Sequence, residues 1–229
     1  MCSKFISLRV LLIDLKDNYK NEPCRPADVI RKLIHLRYLG LRGRQLYITS
    51  SILNLRRLQT LVVESFIWSF KLSDKTCKWQ ELKHLILLNL NLPFMVDNLT
   101  KLQTLKSVSI SYWLEMNTEK LVNLRELCLH HDSIYRIVFP LDSIANLKNL
   151  RRLSVTSFDS SFGSLQLLSG CPLLQNLNLV GKMIELPKDI YEIFPNLEIM
   201  SLKASELKDG PMPLLGMLPN LIIQEFSLP

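Results

Sequence analysis

Leucines and other apolar residues recur along this chain at steps of three, three and two, with polar residues between them. "LIHLRYLGL" (33–41), "LVNLRELCL" (121–129) and "LKNLRRLSV" (147–155) share one template, apolar-x-x-Leu-x-x-Leu-x-apolar. The template also fits "FISLRVLLI" (5–13), "LRRLQTLVV" (55–63), "LQTLKSVSI" (102–110), "CPLLQNLNL" (171–179) and "FPNLEIMSL" (194–202). "LKHLILLNL" (82–90) fits both in this register and in one three residues earlier. "LPNLIIQEF" (218–226) is a degenerate copy, with Gln224 where an apolar anchor belongs. With the third apolar position as marker, the copies fall at 11, 39, 61, 88, 108, 127, 153, 177, 200 and 224. Their spacing runs from 19 to 28 residues with a mean of about 23.7, which is the period of a stacked repeat array.

The physics of the template is direct. Leu-x-Leu at the end of each copy is a short strand with its apolar side chains on one face. The leucines three residues apart turn the chain inward before that strand. One copy cannot bury its own leucines, so neighbours must stack into a leucine column behind a parallel sheet. The expected fold is therefore an α/β leucine-rich-repeat solenoid of about ten repeats. It has a curved, parallel concave β-sheet and irregular convex returns. Pro93, Pro140 and Pro187 follow strands and suit irregular returns better than long helices. Residues 1–229 read as a single repeat domain. Neither end shows the polar cap that a solenoid needs, so the chain reads as a fragment.

Residues at −1, +1 and +3 from each marker alternate with the leucines and point out of the concave sheet. The resulting array includes Tyr38, Arg42, Glu64, Glu126, His130, Arg152, Asn178 and Lys203, and in the fifth copy Ser107, Ser109 and Ser111. It is mostly polar, whereas a sheet covered on both sides would read as near-continuous Val/Ile/Leu. A protein-binding face is the functional reading, and a solvated sheet without a partner at most positions is the plainer one. Two positions before the marker stand Arg9, Arg37, Lys106, Arg125 and Arg151. With strands about 4.8 Å apart, these would align as a basic ridge that attracts acidic surfaces. The formal charge of +7 is uneven, +10 over residues 1–110 and −3 over residues 111–229. Nucleic acid is not the expected partner, because aromatic residues do not interleave with these bases.

Little else in the sequence carries chemistry. The 7 glycines form no phosphate-cradling loop. "LVNLRELCLHHDS" (121–133) gathers His130, His131, Asp132, Ser133 and Cys128, yet adjacent strand residues point oppositely. Zinc needs about four converging ligands, and a nucleophilic triad needs groups from separate elements. No catalytic, cofactor-binding or metal residue is assigned. The five cysteines are isolated and odd in number, without a Cys-x-x-Cys pair, which favours a reducing compartment. Cys128 is expected to face solvent and Cys171 to sit in the core. "MCSKFISLRVLLIDLKD" is not read as a signal peptide, because Arg9 interrupts it and its leucines belong to the repeat. No segment has the roughly 18 apolar residues that span a bilayer. Trp79 is expected to pack inward. "ESFIWSFKLS" (64–73) is either a convex-side filler or a docking patch.

"KLIHLRYLGLRG", "NLRRLQTLVV", "LTKLQTLKSVSI", "KLVNLRELCL" and "FPNLEIMSLKASELKDGPMPLLGMLPNL" carry a further signal. They resemble the repeats of plant coiled-coil, nucleotide-binding, leucine-rich-repeat disease resistance proteins, in particular late blight resistance proteins. The resemblance covers nearly the whole chain. It implies upstream coiled-coil and nucleotide-binding domains that this sequence does not contain. It further implies recognition of a pathogen effector or a guarded host protein, and autoinhibition of the nucleotide-binding switch domain. The basic ridge would then lie against an acidic face of that domain. No cofactor is expected in this chain, and ADP or ATP would belong to the nucleotide-binding domain. A non-enzymatic role follows. So does a cytoplasmic location, with peripheral-membrane or nuclear placement open for the full receptor. A ubiquitin ligase adaptor, with the repeats as its substrate-recognition arm, is the alternative on the same fold.

Overall fold

The computed structural model describes residues 7–15, 30, 32–71, 79–88, 96, 98–131, 138–207 and 210–227. In most of the described repeats the strand is preceded by a pair of three-residue turns. Leu33 N donates to Ile30 O and Leu36 N to Leu33 O, both at 2.9 Å. The same step links Ile52, Leu55 and Leu58, then Val96, Leu99 and Leu102, and then Ile144, Leu147 and Leu150. A three-residue turn puts every third side chain on one side, so these leucines and their counterparts are buried. The strand that follows continues the same buried side with a period of two.

The chain forms two compact units, Met1–Val108 and Ser109–Pro229. In the first, β1 (Val10–Leu15), β2 (Tyr38–Thr49), β3 (Thr60–Lys71), β4 (His84–Leu88) and β5 (Thr104–Ser109) lie in sequence order. Every pair among them is parallel. In the second, β6 (Glu126–His130), β8 (Arg152–Phe162), β9 (Asn176–Lys182), β10 (Ile199–Lys203) and β11 (Ile223–Ser227) are likewise parallel and in order. The short β7 (Val138–Phe139) pairs with the far end of β8. Among the described residues the helices with both ends placed are short, α1 (Ile110–Glu115), α2 (Ile190–Ile193) and α3 (Met212–Leu215), and they alternate with 3-10 segments. This is the expected alternation of strand and irregular return.

Two registers differ from the sequence reading. Strand pairing puts Leu85 and Leu105 in line with Leu61, where the sequence markers stood at Leu88 and Val108. Trp79 and Leu82 decide the fourth repeat: both are fully buried, which locks Leu85 inward and leaves Leu88 38% exposed. In the fifth, Leu99, Leu102 and Leu105 form the buried series. The backbone leaves that regular course at Ser107, whose φ is 61°. Markers at 85 and 105 narrow the spacing to between 20 and 28 residues. Strands β2, β3 and β8 also run to 11 or 12 residues, longer than the repeat template implies. The continuation of β3 is rich in β-branched and aromatic residues, which favour a strand.

Repeats are joined by a backbone rung that no side-chain pattern reveals. Within each unit, the carbonyl two residues before the marker accepts both the −2 and the −1 N–H of the next repeat. Arg9 O receives Arg37 N at 2.7 Å and Tyr38 N at 3.0 Å, and Arg125 O receives Arg151 N and Arg152 N. Four residues before the marker lies a second rung made by asparagine. Asn149 Nδ2 donates to Val122 O, Asn196 Nδ2 to Pro172 O and Asn220 Nδ2 to Pro195 O, at 2.8 to 2.9 Å. Between the fourth and fifth repeats the same column holds an ion pair, Lys101 Nζ to Glu81 at 2.6 Å. Trp79 packs inward as expected and donates its indole N–H to Ile52 O at 3.1 Å. Pro93 and the side chains of 66–73 lie outside the described residues.

Two substitutions test these assignments. Leu85→Ala should cost about 2–5 kcal/mol in urea denaturation, while Leu88→Ala should stay within about 0.5 kcal/mol. The reverse order would restore the register read from sequence. Asn196→Ala removes one side-chain rung and should lower stability by about 1 kcal/mol.

Candidate protein-binding face

The strands aim three residues each at the open side of the sheet, and the cross-strand neighbours there are now defined. In the first unit Tyr38 stands beside Val10 and Thr60, and Arg42 beside Asp14 and Glu64. Arg42 Nε lies 3.3 Å from Glu64 Oε2. In the second unit Glu126 and Arg152 are partners in register, with Arg152 Nη2 donating to Glu126 Oε2 at 3.1 Å. Lys203 Nζ lies 3.0 Å from Glu225 Oε2, and Asn178 Nδ2 donates to Ser154 Oγ at 3.1 Å. Opposite charges on neighbouring strands attract, whether directly opposite (Arg42–Glu64, Glu126–Arg152) or diagonal (Lys203–Glu225), but at this exposure each pair contributes only about 0–1 kcal/mol. These contacts pre-order the face rather than hold the fold. His130 is half-exposed at the end of β6 beside Thr156. His131 leaves the open face: its N–H continues the ladder to Thr156 O, and its Nδ1 lies 3.3 Å from Ser160 Oγ. Asp132 and Ser133 lie outside the described residues. Among the described residues no three of His, Cys, Asp and Glu are grouped so as to hold a metal ion.

The fifth repeat corrects the array. Ser107, Ser109 and Ser111 do not continue it. Ser109 is fully buried and caps α1, accepting the Ser111 N–H at 3.2 Å. Thr104 and Lys106 occupy the corresponding positions, in register with His84 and Ile86. The same shift removes Lys106 from the basic ridge and places it on the open face. The ridge column is the one whose carbonyls form the backbone rung, so its membership follows from hydrogen bonding. In the first unit it reads Arg9, Arg37, Gln59, Lys83, Gln103. In the second it reads Arg125, Arg151, Gln175, Glu198. Arg9, Arg37, Arg125 and Arg151 are exposed. Gln175 Nε2 donates to Glu198 Oε1 at 3.2 Å, so this column passes from base to acid. The apparent regularity at Lys106 came from a Leu-x-x-Leu-x-x-Val run that satisfies two registers at once.

Leucine turns closed by a parallel sheet, with a solvated and charge-paired open face, define a leucine-rich-repeat protein. The family model of a leucine-rich repeat region matches residues 1–227, and the chain belongs to that family. The Arabidopsis thaliana protein named disease resistance RPP13-like protein 2 is 35% identical over 204 residues, covering 87% of this chain and 24% of its own length. Disease resistance protein RPP13 of the same plant is 29% identical over 202 residues, covering 86% of this chain and 22% of its own. The chain thus spans under a quarter of the length of these curated relatives. Among solved structures, the TLR13–ssRNA13 complex has a TM-score of 0.62 at 16% identity, covering 100% of this chain and 37% of that one. At that identity the likeness is one of fold.

The two described thiols separate face from core. Cys128 is half-exposed on the open face, whereas Cys171 is buried and donates to Ile144 O at 3.4 Å. Desolvation pushes the Cys171 thiol up to about 11. A folded-state value raised above the unfolded one stabilises below the unfolded pKa and is lost as pH rises through the folded one. Between about pH 9 and 11 the wild type should therefore lose denaturant stability more steeply than Cys171→Ala. Parallel slopes would remove the buried-thiol assignment.

Proposed function

We propose that this chain is the repeat region of a plant immune receptor and works as a recognition module rather than a catalyst. The observation that carries this reading is the match along nearly the whole chain to proteins named for disease resistance. The open face, with Tyr38, Arg42, Glu64, Glu126, His130, Arg152, Asn178 and Lys203, contacts a pathogen effector or a guarded host protein. The bases at the strand starts, Arg9, Arg37, Arg125 and Arg151, hold an acidic face of a nucleotide-binding switch domain that lies outside this sequence. Nucleotide chemistry resides in that domain, and the full receptor is cytoplasmic. Binding at the open face competes with the clamp at the strand starts and shifts the population from off to on.

Electrostatic docking of this kind weakens with salt. A separately expressed switch domain should co-purify with the chain at low ionic strength. The combined reversal Arg9→Glu, Arg37→Glu and Arg125→Glu should weaken capture at least about tenfold, a loss of about 1.4 kcal/mol. Unchanged capture would sink the clamp.

A further inference from the structure

Residues 29–63 carry seven Lys or Arg and no Asp or Glu. The fold sorts the described bases of this stretch onto different surfaces. Arg42 lies on the open face against Glu64, and Arg37 stands at a strand start. Lys32, Arg56 and Arg57 belong to the turns that precede β2 and β3. There Leu33, Leu36, Leu55 and Leu58 are buried and joined by three-residue turns, so the residues between them project from the edge of the first unit. Lys32, Arg56 and Arg57 are exposed and form no ion pair among the described residues. Ile34 shares this edge and is 52% exposed. Arg57 Nη1 donates to His35 Nδ1 at 3.1 Å, so the two turns are direct neighbours. The turns before β4 and β5 are different. Glu81 and Lys101 pair there at 2.6 Å, and Gln80 and Thr100 stand where Ile34 and Arg56 stand in the earlier turns.

This edge offers a small anion no cradle. The N–H groups of Leu33, Leu36, Leu55 and Leu58 are used inside the turns, which leaves only long side chains to hold it. It suits nucleic acid poorly as well. None of these exposed residues is aromatic, so no base could stack, and Ile34 would be pressed against phosphates. A folded acidic protein would need a pocket matched to Ile34 and carboxylates matched to three separate cations. An anionic bilayer supplies both in one plane, with charged headgroups above hydrocarbon. Lys and Arg reach such headgroups while their apolar stems point down, and an exposed isoleucine enters the boundary between headgroups and acyl chains. Each base held near an anionic leaflet strengthens binding about fivefold, so three bases supply about a hundredfold.

We propose that the turn edge before β2 and β3 is a docking surface for a bilayer rich in anionic phospholipid. Lys32, Arg56 and Arg57 face the headgroups, and Ile34 dips between them. One apolar side chain and three bases make a reversible, peripheral contact rather than a permanent anchor. The surface uses none of the side chains assigned to the open face or to the strand-start bases, and it does not depend on the recognition reading.

The test is sedimentation of the full chain with sucrose-loaded vesicles. One set is phosphatidylcholine alone, and the other mixes phosphatidylcholine with phosphatidylserine. The mixed vesicles should bind at least about tenfold tighter at low ionic strength, and added salt should weaken them. Arg56→Glu combined with Arg57→Glu should lower that binding at least about tenfold. Ile34→Thr should remove the part of the binding that survives high salt. Lys148→Glu, at the matching turn position in the second unit, should leave binding unchanged. Circular dichroism melting checks that each variant folds. If the double variant unfolds, Arg56→Gln and Ile34→Thr decide. Equal binding to both vesicles, no binding, or binding untouched by the arginine reversal overturns the inference. So does competition by inorganic phosphate beyond that of chloride at equal ionic strength, which would mark a small-anion site. Tighter binding to a duplex oligonucleotide than to the mixed vesicles would assign the edge to nucleic acid and likewise overturn it. Absent vesicle binding with switch-domain capture intact removes this proposal and leaves the clamp standing. Lost capture with vesicle binding intact does the reverse.

Discussion

A single repeat of this chain cannot bury its own leucines, and almost every other feature follows from that constraint. The turn leucines and the strand leucines of one repeat form a half-covered layer, which becomes a core only when the next layer is laid on it. Burial of a leucine side chain contributes about 1.5–3 kcal/mol, so the stack supplies most of the cohesion. The stack must still be held in register. Within each unit, the carbonyl before the strand does this by taking two N–H groups from the next repeat, and the asparagine column adds a side-chain rung. Because those groups have no partner within their own repeat, cohesion and alignment come from the same neighbour.

This lattice also explains why the open face is free to vary. Strand alternation sends every second side chain away from the leucine column, and backbone rungs fix the strands without help from those side chains. The face can then be polar and internally paired, as in Glu126–Arg152 and Asn178–Ser154, or apolar, as in Leu12, Val62 and Ile86. Stability is built on one side of the sheet and recognition on the other.

Much of the fold was legible from spacing alone, because a leucine column imposes a period that survives changes at every other position. Eight of the ten markers coincide with the strand register. The two that moved, Leu88 to Leu85 and Val108 to Leu105, lie where the sequence offers apolar residues in two phases three apart. Lys106 followed the second of these, from the ridge to the open face. The candidate face was partly legible: its positions follow from alternation, but cross-strand partners depend on loop lengths that vary from repeat to repeat. The asparagine rung carried a visible sign, Asn before Leu in Asn149-Leu150, Asn196-Leu197 and Asn220-Leu221, whose meaning needs the neighbouring carbonyl.

The sequence by itself determined the period, the parallel strands, the inward leucines and the outward direction of residues such as Glu126 and Arg152. These depend on steps of two and three along one chain, which local geometry converts directly into direction. Only the tertiary structure decided which register the fourth and fifth repeats adopt, which bases share a column, and which face residues meet. It also decided that the apolar side chains of the first unit's face stand in one row. Each of those depends on which residue of one repeat lies beside which residue of the next, and that is set by packing and backbone hydrogen bonds between segments some two dozen residues apart.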